Sequence, residues 1–178
     1  MKFQATFAIV ASYVVAALAS TVADVETDVQ TISTQTTALD NAINAFPNTG
    51  GSLVSALAIH NDAVSLGSAI DQGTSDVSGA PQPFSETDGS AILTAVQGFE
   101  PTILDALTAI VTKKPAFQAL PIGGIPALVL QDLQNLNTSA FNFEAALIAA
   151  APADLVPTAT SVKAAVDAAF ATAIAAYS

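Results

Sequence analysis

VADVETDVQTISTQTTALDNAINAFP, residues 22–47, is the stretch that decides the fold class. Within it Val22, Val25, Val29, Ile32, Thr36, Leu39, Ile43 and Phe46 follow one another at steps of three, four, three, four, three, four and three. That spacing is one face of a helix with 3.6 residues per turn, and a strand, whose side chains alternate with period two, does not produce it. Pro47 with Asn48, Gly50 and Gly51 closes the helix, because proline disfavours helical backbone in the residue before it and glycine suits a turn.

Upstream, Lys2 is followed by an apolar stretch from Phe7 to Ala19 that ends in Ala17-Leu18-Ala19 before Ser20. These are the three parts of a signal peptidase substrate. The sequence predicts a signal peptide over 1–19, cut after Ala19, with a cut after Ala23 as the nearest alternative. A membrane anchor is the competing reading, but the run falls short of the roughly 20 residues that span a bilayer. A secreted, extracellular protein is expected, with one helical domain over 20–178.

Downstream, a second helix is expected from Ser52 to about Asp71, with Leu53, Ala56, Leu57, Ala63, Val64 and Ile70 on one face and His60 inside that face. Gly73 to Phe84, containing Gly79, Pro81 and Pro83, reads as a loop. Ser85-Glu86-Thr87-Asp88 reads as a helix start, a capping serine with acids in the first turn. The stripe Ile92, Val96, Phe99, Ile103, Leu107 and Ile110 runs from there to Lys113-Lys114-Pro115, with a kink or break expected at Gly98 to Glu100, before Pro101. Pro126 opens a fourth helix carrying Leu130, Leu133, Leu136, Phe141, Phe143, Leu147 and Ile148, which Asn137-Thr138-Ser139 would interrupt. A last helix is expected from between Asp154 and Pro157 to Tyr177, with Val162, Val166, Phe170, Ala173 and Ile174 inward. The fold class is therefore all-α, a single-domain bundle of about five amphipathic helices.

Charge and composition exclude several functions. Four Lys and no Arg face 15 acidic residues, and losing Lys2 with the leader takes the net charge from −11 to −12. Nucleic-acid binding needs clustered cations to displace phosphate counterions, and Lys113-Lys114 is the only basic pair. No cysteine is present, so a secreted domain of this size holds together by packing without disulfides. The charge-free run from Pro115 to Gln131 is broken by three prolines and Gly123-Gly124, so no transmembrane segment is expected in the mature chain. Lys163 and Asp167 interrupt the last apolar stretch and no Ser/Thr-rich spacer precedes it, unlike a lipid-anchor signal.

One His and no Cys, Arg or Trp leave few parts for a catalytic centre. His60 would serve a serine as general base, yet no Gly-x-Ser-x-Gly elbow exposes one, and the structural alternative is a hydrogen-bonded histidine in or beside the core. Asp24 and Asp28 share a helical face and would touch a calcium ion weakly. No acidic loop with glycine and a closing Glu surrounds them, and acids in a first turn also favour the positive helix end. No pair among the 15 acids stands out as a glycosidase dyad. No catalytic, cofactor-binding or metal-ligating residue is expected. Asn137 opens the one N-glycosylation sequon, whose other reading is a polar turn.

Apolar matter remains. Phe46, Phe84, Phe99, Phe117, Phe141, Phe143 and Phe170 survive removal of the leader. They make a core, and alanine-rich helices, which bury little area per side chain, leave either an internal apolar cavity or a bundle that opens onto a hydrophobic surface.

The helix from Val25 to Phe46 ending at Pro47, the segment Phe99-Glu100-Pro101-Thr102-Ile103-Leu104-Asp105-Ala106-Leu107, the run Lys113-Lys114-Pro115-Ala116-Phe117, and a closing helix through Val162, Phe170 and Tyr177 resemble the fungal hydrophobic surface binding protein A family, which is related to lipid-binding domains of cell-wall galactomannoproteins. The resemblance spans nearly the whole mature region. It implies a secreted helical bundle that adsorbs to hydrophobic surfaces, recruits a secreted polyester- or cutin-degrading hydrolase, and in related domains holds a fatty acid between helices. The cell-wall members often carry a Ser/Thr-rich tail, and this chain stops at Ser178 without one, which speaks against wall attachment.

The leading expectation is a non-enzymatic binder of hydrophobic surfaces or fatty-acid-like ligands, without cofactor. Its expected ligand contacts are Phe99, Ile103, Leu107, Phe117, Phe141 and Phe143, clustered around the proline-containing third helix and its connection. A structural or antigenic cell-wall mannoprotein is the alternative, and an esterase-type hydrolase built on His60 stands behind both.

Overall fold

The computed structural model describes residues 20–178. The signal peptide expected over 1–19 and its cut after Ala19 lie outside the described residues. Five helices follow in order, α1 Val22–Ala45, α2 Leu53–Gly79, α3 Glu86–Gln118, α4 Ile125–Ala150 and α5 Val156–Tyr177. Among the described residues there is no strand.

Local chemistry starts the helices. The Thr21 hydroxyl accepts from the Asp24 N–H at 3.2 Å while the Asp24 carboxylate accepts from the Thr21 N–H at 2.8 Å, a reciprocal capping box. A cut after Ala23 would remove that cap. Ser52 and Ser85 accept from the N–H groups three residues on, at 3.0 and 3.1 Å. α4 begins after Gly124, whose φ of 94° only glycine adopts without strain, and Pro126 stands in its first turn.

Three expectations are corrected. α2 continues through the expected loop to Gly79, because Gly73 is a contact residue and not a breaker: a Cβ there would come within 2.9 Å of the Phe143 ring. Its inward face is Ala56, Ile59, Ala63, Leu66, Ile70, Gly73 and Val77, whereas Leu57 and Val64 are exposed. α3 runs unbroken through Pro101 and Pro115 to Gln118. Both prolines are exposed, as is Gln97, whose carbonyl loses its helical partner at Pro101 and can turn to water instead. α4 passes through Asn137-Thr138-Ser139 without interruption, with the Thr138 hydroxyl donating back to the Gln134 carbonyl at 2.9 Å.

The helices close into a ring. α1 packs on α2 and α3, α2 packs on α4, and α5 completes the circuit between α4 and α3, while α3 and α4 barely meet. α2 and α5 are long and apolar enough to cross a membrane, with mean hydropathies of 1.3 and 1.2, but both are walls of this ring and turn a buried stripe inward. Five parallel cylinders spaced at about 10 Å leave an axial hole about 7 Å wide, which side chains must fill. The inward positions include Ala56, Ala63, Gly73, Gly89, Ala106, Ala116, Ala150 and Ala173, which fill little of it.

One end of the hole is plugged. Phe46 and Phe117 stack with centroids 4.4 Å apart where α1 and α3 finish. Lys113 donates to the carbonyls of Asn44 and Phe46 and to Asn48 Oδ1, and Lys114 to the carbonyl of Ala176, so both lysines satisfy helix C-termini. The buried Tyr177 hydroxyl donates to the Ile110 carbonyl at 2.8 Å and pins α5 to α3.

Candidate ligand-binding site

Three apolar cavities follow the axis of the ring. The upper one, about 50 Å³, lies among α3, α4 and α5 and reaches Phe84, Gly89 and Leu155. The central one, about 90 Å³, is lined from all five helices, among others by Ile32, Leu66, Phe99, Phe143 and Phe170. The lower one, about 50 Å³, sits among Ile43, Ile59, Ile110 and Val129. Each exceeds the roughly 10–15 Å³ that a water molecule needs, and the apolar side chains that make up most of each wall offer water no partners.

The cavities share walls. Val96, Glu144, Leu147 and Val162 line both the upper and the central one, and Ala106, Leu107 and Leu136 line both the central and the lower one. Between Gly89 in the first and Ile110 in the last lie about 30 Å of helix axis, the reach of a long extended acyl chain. Single side chains, not helices, divide that length.

Of the expected contacts, Phe99, Ile103, Leu107 and Phe143 meet at the central cavity. Phe117 is placed in the end plug against Phe46. Phe141 is 51% exposed on α4, with the Lys163 ammonium 3.8 Å from its ring centroid.

Sequence reasoning missed the carboxyl that lines both the upper and the central cavity. Glu144 takes its place on the inward stripe Leu136, Ala140, Phe143, Leu147, a spacing that placed one carboxyl among apolar positions. Its carboxylate is 3.4 Å from Lys163, which is held closer, at 2.8 Å, by Asp167 one turn along α5. Burial pushes the Glu144 carboxyl up to about 7, against the pull of Lys163.

At the lower cavity His60 Nδ1 lies 2.9 Å from both carboxylate oxygens of Asp132. Burial raises Asp132 while the histidine opposes the shift. Among the described residues no serine hydroxyl is hydrogen-bonded to His60, so the geometry is that of a helix-to-helix tie. Asp24 is spent on the α1 cap, and Asp28 faces Asp76 of α2. No group of three or more potential metal ligands forms among the described residues. Asn137 is half-buried in mid-helix, beside an outer polar groove between α2 and α4 that Thr138 and Ser139 line.

Known proteins share this architecture. The structure of AFMP4P in complex with palmitic acid superposes with a TM-score of 0.80 at 34% identity, over 88% of this chain and 99% of that one. Ligand binding domain 1 of the Penicillium marneffei MP1 protein, complexed with arachidonic acids, gives a TM-score of 0.78 at 22% identity, again over 88% and 99%. Ligand binding domain 2 of the same protein gives 0.75 at 20%, over 85% and 90%. At those lower identities the likeness is one of fold. No curated sequence matches the chain directly. The family model for hydrophobic surface binding protein A matches residues 22–149, from the first residue of α1 into the last turn of α4, and the chain therefore belongs to the hydrophobic surface binding protein A family.

Proposed function

We propose that this protein is a non-enzymatic binder that takes an acyl chain into the axis of its helix ring. The observation that carries the reading is the series of three apolar cavities with shared walls along one axis. Each CH₂ moved there from water contributes about 0.8 kcal/mol, so a long chain gains enough to offset the loss of its own freedom. Val96 and Leu147 stand between the upper and central spaces and Leu107 and Leu136 between the central and lower ones, so these are the side chains that an entering chain would displace. The palmitic acid held by the 34% identical relative supports the same ligand class here.

Secretion, adsorption to hydrophobic surfaces and recruitment of a secreted polyester- or cutin-degrading hydrolase belong to the same proposal. They rest on the leader-like 1–19 segment and on the family's character. Titration of residues 20–178 with a fluorescent fatty acid, followed by displacement with palmitic acid, tests the binding. Saturable uptake at one or a few sites is expected, weakened at least tenfold by Leu107→Asn with the helical circular dichroism retained. A folded protein that ignores the probe and also fails to adsorb to hydrophobic beads would sink the reading.

A further inference from the structure

The reading that an acyl chain enters the ring leaves one buried group without a purpose, the carboxyl of Glu144. It stands at the junction of the upper and central cavities and is only 14% exposed at its side chain. A carboxyl among Val96, Leu147, Val162 and Phe143 weakens the apolar lining and pays a desolvation penalty that leucine would avoid. Its cation is shared: Lys163 is closer to Asp167, at 2.8 Å, than to Glu144, at 3.4 Å, and rests on the ring of Phe141 at 3.8 Å.

Among the described residues the charged groups facing Glu144 are few. α5 contributes Lys163 and Asp167. α3 contributes Gly89, Ile92, Leu93 and Val96, α2 contributes Leu66 and Ile70, and α1 contributes Ile32 and Thr36, none of them ionisable. With all three groups ionised the cluster of Glu144, Lys163 and Asp167 carries one net negative charge. Protonating Glu144 makes it neutral, and a ligand carboxylate then restores the same single charge. From the level of Val96 to Ile110 about 20 Å of cavity remain for the chain attached to that carboxylate.

We infer that Glu144 and Lys163 form a head-group station that selects long-chain carboxylic acids and takes up one proton with each acid bound. The proton lies on Glu144, whose O–H donates to the ligand carboxylate, and the Lys163 ammonium faces the same carboxylate. No bond is made or broken beyond that protonation. Free Glu144, raised to about 7, is ionised at pH 8.5 and must gain the proton there, whereas at pH 5.5 it holds it already.

Calorimetry with dodecanoic acid and with dodecanol, in buffers of different ionisation heat, tests this on the folded chain. The acid should take up close to one proton at pH 8.5 and few at pH 5.5, and its affinity should fall about tenfold per pH unit above pH 7.5, as uptake of one proton requires. The alcohol should take up none and bind alike at both values. Glu144→Gln should abolish the uptake and flatten the profile for the acid, and Lys163→Met should weaken the acid more than the alcohol. If wild-type protein binds acid and alcohol with one pH-independent affinity and no proton uptake, the station is refuted while the acyl-binding reading stands. If neither ligand binds, both fall. Because the wild-type measurement decides by itself, loss of folding in either variant would not rescue the idea.

Discussion

Ala106 sits on the wall between the central and lower cavities and is 7% exposed, so its methyl group faces space that other side chains leave open. Leucine there would fill part of that space, and cavity-filling changes are tolerated or mildly favourable, within about 1 kcal/mol of wild type. Ala106→Leu should therefore keep the melting temperature within a few degrees while lowering affinity for palmitic acid at least tenfold. Unchanged affinity would mean that the chain does not pass Ala106. Phe117 gives the converse case. It is 1% exposed, stacked on Phe46 and lines none of the three axial cavities, so truncation leaves a hole in the plug without removing a lining side chain from the ligand path. Phe117→Ala should cost about 3–5 kcal/mol in a denaturant titration and leave the affinity of the remaining folded fraction within threefold. If the two substitutions proved interchangeable in their effects, cavity and core would be the same thing in this molecule.

Among the elements, α3 is the one whose sequence argues against its own continuity. Pro101 removes an N–H from the middle of a 33-residue helix, and proline in a helix interior costs up to about 3 kcal/mol relative to alanine. The helix persists because its buried stripe, Ile92, Phe99, Ala106, Leu107 and Ile110, is packed on both sides of the proline. Pro101→Ala restores the missing donor at an exposed position and should raise the melting temperature, by an amount matching about 1–3 kcal/mol. A lower melting temperature would show that the ring needs the proline at this position. The same contest explains what was legible in the sequence. α1 was readable from end to end because its apolar steps are regular and no breaker falls within them. The end of α2 was not, since Gly73 looks like punctuation until the Phe143 ring is seen resting on it. Phe99, Ile103, Leu107 and Phe143 share the central cavity because stripe positions face the axis, while Phe141 belongs to the outer face of α4 and Phe117 to its own end of the ring. Glu144 was hidden for the opposite reason, being polar at a stripe position where a search for apolar residues passes over it.

At the scale of the whole molecule the acids are placed against one another. Asp28 of α1 meets Asp76 of α2, Asp40 of α1 meets Asp105 of α3, and Glu86 of α3 meets Asp154 in the turn before α5. Each pair joins two elements of the ring. Among the described residues no hydrogen-bond donor faces the buried Asp28 Oδ2, as suits an oxygen that takes up a proton toward Asp76 below about pH 6. Burial and then Asp76 push Asp28 up to about 6, and burial raises Asp40, with Asp105 adding to it. Asp76 is lowered instead, held by the Ser20 hydroxyl and the Gln72 amide, at 2.6 and 2.8 Å. A carboxyl whose folded pKa is raised binds its proton more tightly in the native state. Its contribution is therefore complete below the unfolded value near 4 and is lost as pH rises through the folded one. Asp76 works in the other direction, and its contribution fades below about pH 4. Thermal melts should accordingly show the highest stability near pH 4 to 5 and a falling melting temperature from pH 5 to pH 8, as Asp28 and then Glu144, raised to about 7, give up their protons. Salt should recover part of the loss at pH 8 by screening a chain with a net charge of −11. Asp28→Asn keeps a donor toward Asp76 without a proton to lose, so it should raise the melting temperature at pH 8, leave it nearly unchanged at pH 4.5 and shorten the slope between them. A melting temperature that is level or rising from pH 5 to pH 8 would mean that the acids do not share protons across the ring.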